Sequence, residues 1–267
     1  MTDHLLRGLA PITDAVWDML DDEAKTRLST ALGARKLVDF AGPHGWQHSA
    51  TNLGRVGPVV AAPADAVIAR TRSVLPLAEV RADFTLSRSE LDAGARGALD
   101  VDLGALDAAA RRIATVENAA VFAGWDAVGI TGITQATPHP PISRDDDPRR
   151  FAQQVAAAVA VLKDAGIDGP YGLALGRDDW VNVVGGNDAG GQSLLEHLRR
   201  ILDGPVEYTP GAEGAVVLSL RGGDFVFDSG EDLSLGYSSH TSESVSLYLE
   251  ETFSFRVATP EAAIALV

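Results

Sequence analysis

The chain has 267 residues, 46% apolar and 22% charged, long enough for one sizeable core or two modest domains and too apolar for a disordered chain. It contains no Cys, which excludes a disulfide framework, a thiolate nucleophile and a thiolate metal site. Lys plus Arg number 22 against 37 Asp plus Glu, a formal net charge of -15 that argues against a nucleic-acid-binding or anionic-membrane surface, and its even spread argues against an acidic tail.

The N-terminal stretch lacks the basic start and continuous apolar run of a secretory signal. The most apolar helical run, Phe151 to Leu162, is too short to cross a bilayer and is broken by Gln153 and Gln154. A soluble intracellular protein is expected.

Pro11 and Ile12 precede Thr13, a candidate cap, after which Trp17, Leu20, Ala24, Leu28 and Leu32 recur at three- and four-residue spacing. That spacing predicts an amphipathic helix ending near Gly33. Arg35 to Phe40 follows as a possible short strand, and Gly42-Pro43-His44-Gly45 as a turn. From Trp46 to Leu77 short runs are interrupted by Gly54, Gly57, Pro58, Pro63 and Pro76, the pattern of an extended arm or long hairpin without its own core. Glu79 to Ser87 alternates cleanly, with Val80, Ala82, Phe84 and Leu86 on one face, and predicts a half-buried strand.

A strong helix is predicted from about Leu103 to Phe122 on the stripe Leu106, Ala109, Ile113, Val116 and Ala120. The Gly-, Pro- and Asp-rich connection from Gly129 to Asp147 marks a domain boundary. Asp147 followed by Pro148 is a helix-start signal, with Phe151, Val155, Val159 and Leu162 as the buried face and Gly166 as the stop. Tyr171 to Leu175 and Trp180 to Val184 have the character of short strands. The loop Gly185-Gly186-Asn187-Asp188-Ala189-Gly190-Gly191 leads into a helix that Gly204-Pro205 ends.

Beyond Tyr208 the pattern is mostly β. Ala215 to Leu220 is an apolar strand, and Asp224 to Asp228 returns after a Gly222-Gly223 turn. Then Val245, Leu247, Leu249, Phe253, Phe255 and Val257 alternate with Ser244, Ser246, Tyr248, Glu250, Thr252, Ser254 and Arg256. Such a strand would span about 46 Å at roughly 3.3 Å per residue. Glu251 interrupts its apolar face, which predicts a bulge or a partner contact there.

Enzyme signatures are weak. His44 and His48 are four apart, but Pro43 and Gly45 disfavour a helix and there is no HExxH motif, so they are read as structural or surface histidines and no metal site is expected. Asp145, Asp146 and Asp147 are read as a solvated acidic turn with Asp147 as cap. Glu250 and Glu251 are adjacent on a strand and point to opposite faces, which rules out a carboxylate pair built from those two. Gly222-Gly223-Asp224-Phe225 resembles a cyclase turn superficially, yet Phe225 stands where a second acid belongs, so a tight turn is expected. The 185–191 loop is glycine-rich enough to cradle phosphate but lacks a GK[ST] ending, and Asp188 would repel the anion. No GxSxG motif is present, and no catalytic residue is assigned.

Taken together, the chain resembles the encapsulin shell proteins, also called linocin-like bacteriocin proteins. The resemblance runs from Leu5-Leu6-Arg7 to Pro260-Glu261-Ala262-Ala263. It rests on Leu9-Ala10-Pro11-Ile12, Gly42-Pro43-His44-Gly45-Trp46 and Asn52-Leu53-Gly54-Arg55, then on residues 195–202, 213–225 and 247–257. It implies an α+β, tailed-phage major capsid protein-like fold with a peripheral domain, an extended loop and an axial domain. On that pattern 1–45 holds the N-terminal helix and the start of the peripheral domain, 46–77 the extended loop, 78–130 the peripheral domain with its spine helix, 131–220 the axial domain, and 221–267 the return through the peripheral domain.

The function implied is that of a self-assembling, cytoplasmic, icosahedral nanocompartment shell enclosing a dye-decolourising peroxidase or a ferritin-like iron-handling protein. A phage major capsid protein of the same fold is the alternative. The smallest closed shell is a homo-oligomer of about 60 chains, with no nucleic acid or membrane as partner and no enzymatic role of its own. Cargo is expected to dock through a short targeting peptide. The resemblance implies apolar contacts at Leu28, Leu32, Leu233 and Leu235, and polar positioning by Arg35, Asp39 and Asp232. Each leucine is equally readable as an ordinary core residue. The 185–191 loop (Gly185, Gly186, Asn187, Asp188, Ala189, Gly190, Gly191) is expected to line a pore, with a solvated loop as the plain alternative. Some members of the family bind flavin through an aromatic residue where this chain has Ser89, so no cofactor is expected.

Overall fold

The computed structural model describes residues 4–144, 147, 150–187 and 190–267. Its longest strand, β10 (Ser244–Val257), is the spine of a five-stranded sheet. One edge pairs antiparallel with β4 (Ala78–Ser87), from Ser244 opposite Ser87 to Phe253 opposite Ala78. The other edge takes two partners in succession: β9 (Ser234–His240) over Val245 to Glu250, then β8 (Phe225–Ser229) over Phe253 to Val257. β1 (Asp39–Ala41) adds to β8 in parallel.

Two partners on one edge account for the unusual length of β10. Where they meet, the 230–233 connection crosses the edge: Gly230 N–H donates to Thr252 O at 2.8 Å and Thr252 N–H to Glu231 O at 2.9 Å. The register shift of the sheet lies elsewhere, between Ser246 and Leu247 in the β9 pairing. At Glu251 the irregularity is a side-chain contact inside the same chain, described below.

Val245, Leu247, Leu249, Phe253 and Phe255 are at most 2% exposed and face the core. That core is closed by α3 (Gly104–Phe122) and by α1 (Asp14–Ala31), which packs on α3. Val16, Trp17, Leu20, Ala24, Leu28 and Ala31 form the buried stripe of α1, as their helical spacing requires. Thr13 does hold the N-cap, but its hydroxyl makes no capping bond; its carbonyl accepts from Val16 and Trp17 instead. The opposite face of β10 is buried too at Tyr248, Glu250, Thr252 and Ser254. The N-terminal segment covers part of it, with Tyr237 N–H donating to Leu5 O at 2.8 Å.

A second, four-stranded sheet has the order β11 (Ala263–Leu266), β7 (Ala215–Ser219), β5 (Tyr171–Leu175), β6 (Val206–Tyr208). Every residue of β5, β7 and β11 is buried. The helices α5 (Phe151–Asp164) and α7 (Leu194–Leu202) pack against these strands. The position of β11 corrects the expected division of the chain: 221–267 does not all return through the first sheet. Ala263–Leu266 is apolar on both faces, pairs with β7 beside α5, and is buried throughout.

Three local expectations also change. The segment 180–184 is not a strand but part of the helix α6 (Arg177–Gly185). Gly176 is its N-cap, Asp178 and Asp179 occupy its first turn where the helix dipole favours acids, and Asp179 and Val183 share its buried face. Helix α5 starts at Phe151 with Arg150 as N-cap, so Asp147 is not the cap; its backbone O accepts Arg150 N–H at 3.0 Å. Asp145, Asp146 and Pro148 lie outside the described residues. Arg35 to Phe40 splits into a 3-10 turn (Ala34–Lys36) followed by β1, because Ala34 N–H is held by the buried Asn118 Oδ1 at 2.9 Å.

The segment 46–77 contains an antiparallel hairpin of β2 (Ala50–Val60) and β3 (Ala69–Pro76). Its register shifts between Asn52 and Arg55 and again between Val56 and Val59, at the Gly54 and Gly57-Pro58 interruptions. None of its strand residues is fully buried. Two further short α-helices are α2 (Arg88–Ala95) and α4 (Ile133–Ala136).

Candidate functional site

A groove of about 480 Å³ runs between α1, the N-terminal segment and the connection from β8 to β9. Helix α1 contributes Ala24, Leu28 and Leu32 beyond its last turn; the connection and the start of β9 contribute Asp232, Leu233 and Leu235. Leu249 of β10 also lines it. Six of the seven residues the resemblance implied for peptide contact therefore share one groove. Leu28, Leu32 and Leu235 are less than a tenth exposed and belong to the core, while Leu233 is partly buried against it. The two readings of these leucines converge: core side chains present their outer edges to the groove.

Asp39 is the exception. It lies on β1, and its Oδ2 accepts Gly223 N–H at 2.5 Å, fixing the Gly222-Gly223 turn in a different cavity. The physical reason is register: the parallel pairing of Asp39 with Val226 on β8 carries it to the far end of that short strand pair. The turn itself has both glycines at positive φ, 88° and 81°, and Arg221 makes two 2.9 Å bonds to Asp224.

Arg35 joins the groove to the core. Its guanidinium is 2.6 Å from Asp232 Oδ1, 2.7 Å from Glu117 Oε2 of α3 and 2.9 Å from Glu251 Oε2 of β10. It also lies 5.0 Å from the Phe227 ring centre and 5.2 Å from that of Phe40. Burial works against its charge, but the three carboxyls outweigh burial and raise its pKa above the ordinary arginine value.

The carboxyl side of this cluster is crowded. Burial pushes the Glu251 carboxyl well above the usual range and its neighbour Glu117 adds to that rise, while Arg35 opposes it. Glu117 is raised as well, first by burial, with Arg35 pulling the other way. Oε1 of each is buried without a hydrogen-bond donor. A proton on Glu251 answers all three observations, since a protonated carboxyl can donate to its neighbour where two carboxylates repel. Glu250, on the other face of the strand, is raised by burial and by Glu79, with Arg81 opposing.

Sequence spacing offered no signal for Glu117, 134 positions from Glu251, beyond its place on the buried face of α3. Arg7 and Asp21 at the groove entrance were equally hidden; their side chains pair at 2.7 Å, and Arg7 lies 4.1 Å over the Trp17 ring.

The 185–191 loop joins α6 to α7. Asn187 bridges Ser193, and Leu194 N–H donates to Gly186 O at 3.1 Å, which closes the base of the loop. Asp188 and Ala189 lie outside the described residues. Ser89 sits in the first turn of α2 with its hydroxyl 2.7 Å from that of Ser87. Among the described residues no helix is long and apolar enough to cross a membrane.

The topology defines a class first. The structure is similar to a virus-like particle protein from Pyrococcus furiosus, with a TM-score of 0.66 at 15% identity, covering 94% of this chain and 99% of that one. It is also similar to the capsid of an empty GTA particle, with a TM-score of 0.52 at 15% identity over 88% and 89% of the two chains. This is the α+β fold of tailed-phage-type major capsid proteins.

Sequence comparison narrows the class. A family model described as "Encapsulating protein for peroxidase" matches residues 1–254. The chain is 45% identical over 267 residues to the type 1 encapsulin shell protein of Rhodospirillum rubrum, covering 98% of this chain and 95% of that one. It is 39% identical over 263 residues to the type 1 encapsulin shell protein of Mycobacterium tuberculosis, covering 98% of each. The chain belongs to the encapsulin shell family, and its function is that of a shell protein of a nanocompartment.

Proposed function

We propose that about 60 copies close into an icosahedral compartment in the cytoplasm, and that the groove beside α1 receives a short targeting peptide from its cargo. The cargo is a dye-decolourising peroxidase or a ferritin-like iron-handling protein; the chain supplies containment while the oxidative chemistry belongs to the cargo. The groove carries this reading. Leu28, Leu32, Leu233 and Leu235 offer aliphatic edges to aliphatic anchors, and Arg35 with Asp232 lies at one side to set the direction of the peptide. Asp39 has no part in it.

On the same reading 46–77 is the extended loop, whose exposed apolar residues take cover from a neighbouring subunit, and the 185–191 loop borders a pore. The second sheet is the axial domain, completed by β11 from the chain end. The much higher identity to shell proteins than to capsids favours this reading over a phage capsid.

The test is co-expression with a fluorescent protein carrying the C-terminal segment of a peroxidase cargo, and separately that of a ferritin-like cargo. One of the two fusions is expected to co-purify with the particle, and Leu233→Asp to empty the shell without changing particle diameter. Light scattering is expected to give about 1.7 MDa, from about 60 chains of 28.0 kDa each. A larger closed particle would change the lattice and keep the compartment. A stable monomer would overturn the assembly, and equal loading of untagged fluorescent protein would overturn the groove assignment.

A further inference from the structure

The turn from β1 into the β2–β3 hairpin holds two histidines against a carboxylate from the sheet. His44 Nε2 stands 2.9 Å from Asp228 Oδ1 and His48 Nε2 3.7 Å from Asp228 Oδ2. The two imidazole centres are 4.6 Å apart. One ligand-type atom from each of the three residues falls within 4.8 Å of the other two. Four-coordinate ligands at about 2.0–2.1 Å from a zinc-type ion stand roughly 3.3 Å apart, so small side-chain rotations close this set around an ion.

These are ion-pair distances rather than well-directed hydrogen bonds. Asp228 is only 6% exposed, and apart from the imidazole contacts its Oδ1 accepts no hydrogen bond; the buried His48 Nε2 makes none either. A buried carboxylate oxygen calls for an electropositive partner, and the half-exposed His48 and exposed His44 leave room for a cation to supply it. The frame around them is already built. Thr51 donates its hydroxyl to Asp228 Oδ2, fixing the carboxylate as outer-shell partners of metal ligands do. His44 N–H donates to Ser229 O at 3.0 Å, Gly45 N–H to Gly230 O at 2.7 Å, and His48 N–H to Gly45 O at 3.0 Å. The turn is thereby tied to the same strand end that carries Asp228.

Beside the cluster lies a cavity of about 970 Å³, lined by His44, Trp46, Gly230, Glu231 and Asp232 among others. It gives an ion a way in and a place for water in an open coordination position. Glu231 is engaged by His4 at 2.7 Å and adds negative charge to the cavity wall. The ligand chemistry discriminates among cations: two imidazoles and one carboxylate suit first-row divalent transition ions, whereas magnesium and calcium require oxygen ligands throughout.

We propose that His44, His48 and Asp228 form a binding site for a divalent transition-metal ion of the zinc type, which pins the root of the β2–β3 hairpin to β8. The site is independent of the peptide groove and of any cargo.

The test uses the full-length, tag-free shell protein, stripped with a chelator and titrated with Zn²⁺ by calorimetry. Co²⁺ serves as a second probe through the visible bands of a low-symmetry, nitrogen-ligated site. One ion per chain is expected, with a rise in thermal midpoint, since an ion that binds only the folded state stabilises it. His44→Ala and His48→Ala are each expected to weaken binding at least about tenfold and to remove the rise in midpoint. Asp228→Asn should do the same, but because Asp228 is buried and bonded to Thr51, the two histidine variants decide if it fails to fold. His240→Ala, at the exposed end of β9, is the control and should leave stoichiometry and affinity unchanged. The proposal is overturned if Zn²⁺ uptake does not saturate near one per chain, if the double variant H44A/H48A binds as tightly as the native chain, or if Mg²⁺ displaces Zn²⁺ at equal concentration.

Discussion

The two main sheets are both buried, but they differ in what they bury. The strands of the β11-β7-β5-β6 sheet are almost wholly apolar: Leu173, Leu175, Val217 and Leu218 are fully enclosed, with Ser219 and Thr209 as uncharged polar companions and Asp179 of the neighbouring α6, paired with Arg144, as a buried acid beside them. The sheet around β10 encloses Glu117, Asn118, Asp228, Glu250 and Glu251 as well as its phenylalanines. Burying carboxyls costs free energy that an apolar side chain would not. The charged groups lie beside the two places proposed to recognise or hold something: Arg35 and its acids behind the groove beside α1, Asp228 against the histidine turn. The second sheet reads as scaffold and the first as working surface. The β2–β3 hairpin is a third case, with Val56, Val59 and Ile68 at 52%, 55% and 75% exposed and nothing in its own chain to cover them.

Removing the cation from the charged sheet should have the largest effect. Arg35→Met keeps most of the apolar stem but leaves the charge shared by the buried Glu117–Glu251 pair without its cation, and a loss of about 3–5 kcal/mol is expected in chemical denaturation. The loss should shrink at lower pH as the carboxyls take up protons. A loss under about 1 kcal/mol would mean that the protonated pair is stable without Arg35. The matching cut in the apolar sheet, Leu173→Ala, should cost about 2–5 kcal/mol through the cavity it leaves. That cost should be the same at mildly acid and mildly alkaline pH, and a pH-dependent cost would break the contrast between the sheets.

Glu251→Gln sharpens the contrast further. The folded carboxyl titrates above its unfolded value of about 4.3, so the folded state holds a proton that the unfolded chain releases. Its favourable contribution is complete below the unfolded pKa and declines as pH rises through the raised folded pKa. Glutamine keeps the shape without the titration. The variant should therefore show a flatter decline, by up to about 1.4 kcal/mol per pH unit in that window, measured as denaturation midpoint against pH. An unchanged profile would place the proton elsewhere. The smallest effect on folding is expected at the hairpin tip: Ile68→Ser should alter subunit stability by no more than about 0.5 kcal/mol. If a neighbouring copy covers that tip, the same change should raise the concentration needed for particle formation in light scattering; unchanged assembly would leave the tip uncovered.

Local pattern was enough for elements whose neighbours agree with it. The stripe from Trp17 to Leu28 makes α1, the alternation from Val245 to Val257 makes β10, and the glycines and prolines between 54 and 76 match a hairpin with two bulges. It misled at 180–184, where Val181, Val183 and Val184 suit a strand but Gly176 and the acids after it start a helix. It could not detect that Asp39 leaves the groove, because that follows from the register of β1 on β8. Nor could it bring Asp228 to His44 and His48, about 180 positions away in the chain.

By itself the sequence determined the apolar periods, the breaks between them, the odd acid at Glu251 on an apolar face and the family to which the chain belongs. These are properties of short stretches and of their order, and helix and strand geometry turns them directly into faces. Tertiary structure alone decided which charges meet. Arg35, Glu117, Asp232 and Glu251 come from four elements, and the exchange of partners along β10 opens the edge at which the Asp232 connection crosses. Coulomb and burial energies depend on distance and enclosure in space, and neither is encoded in spacing along the chain.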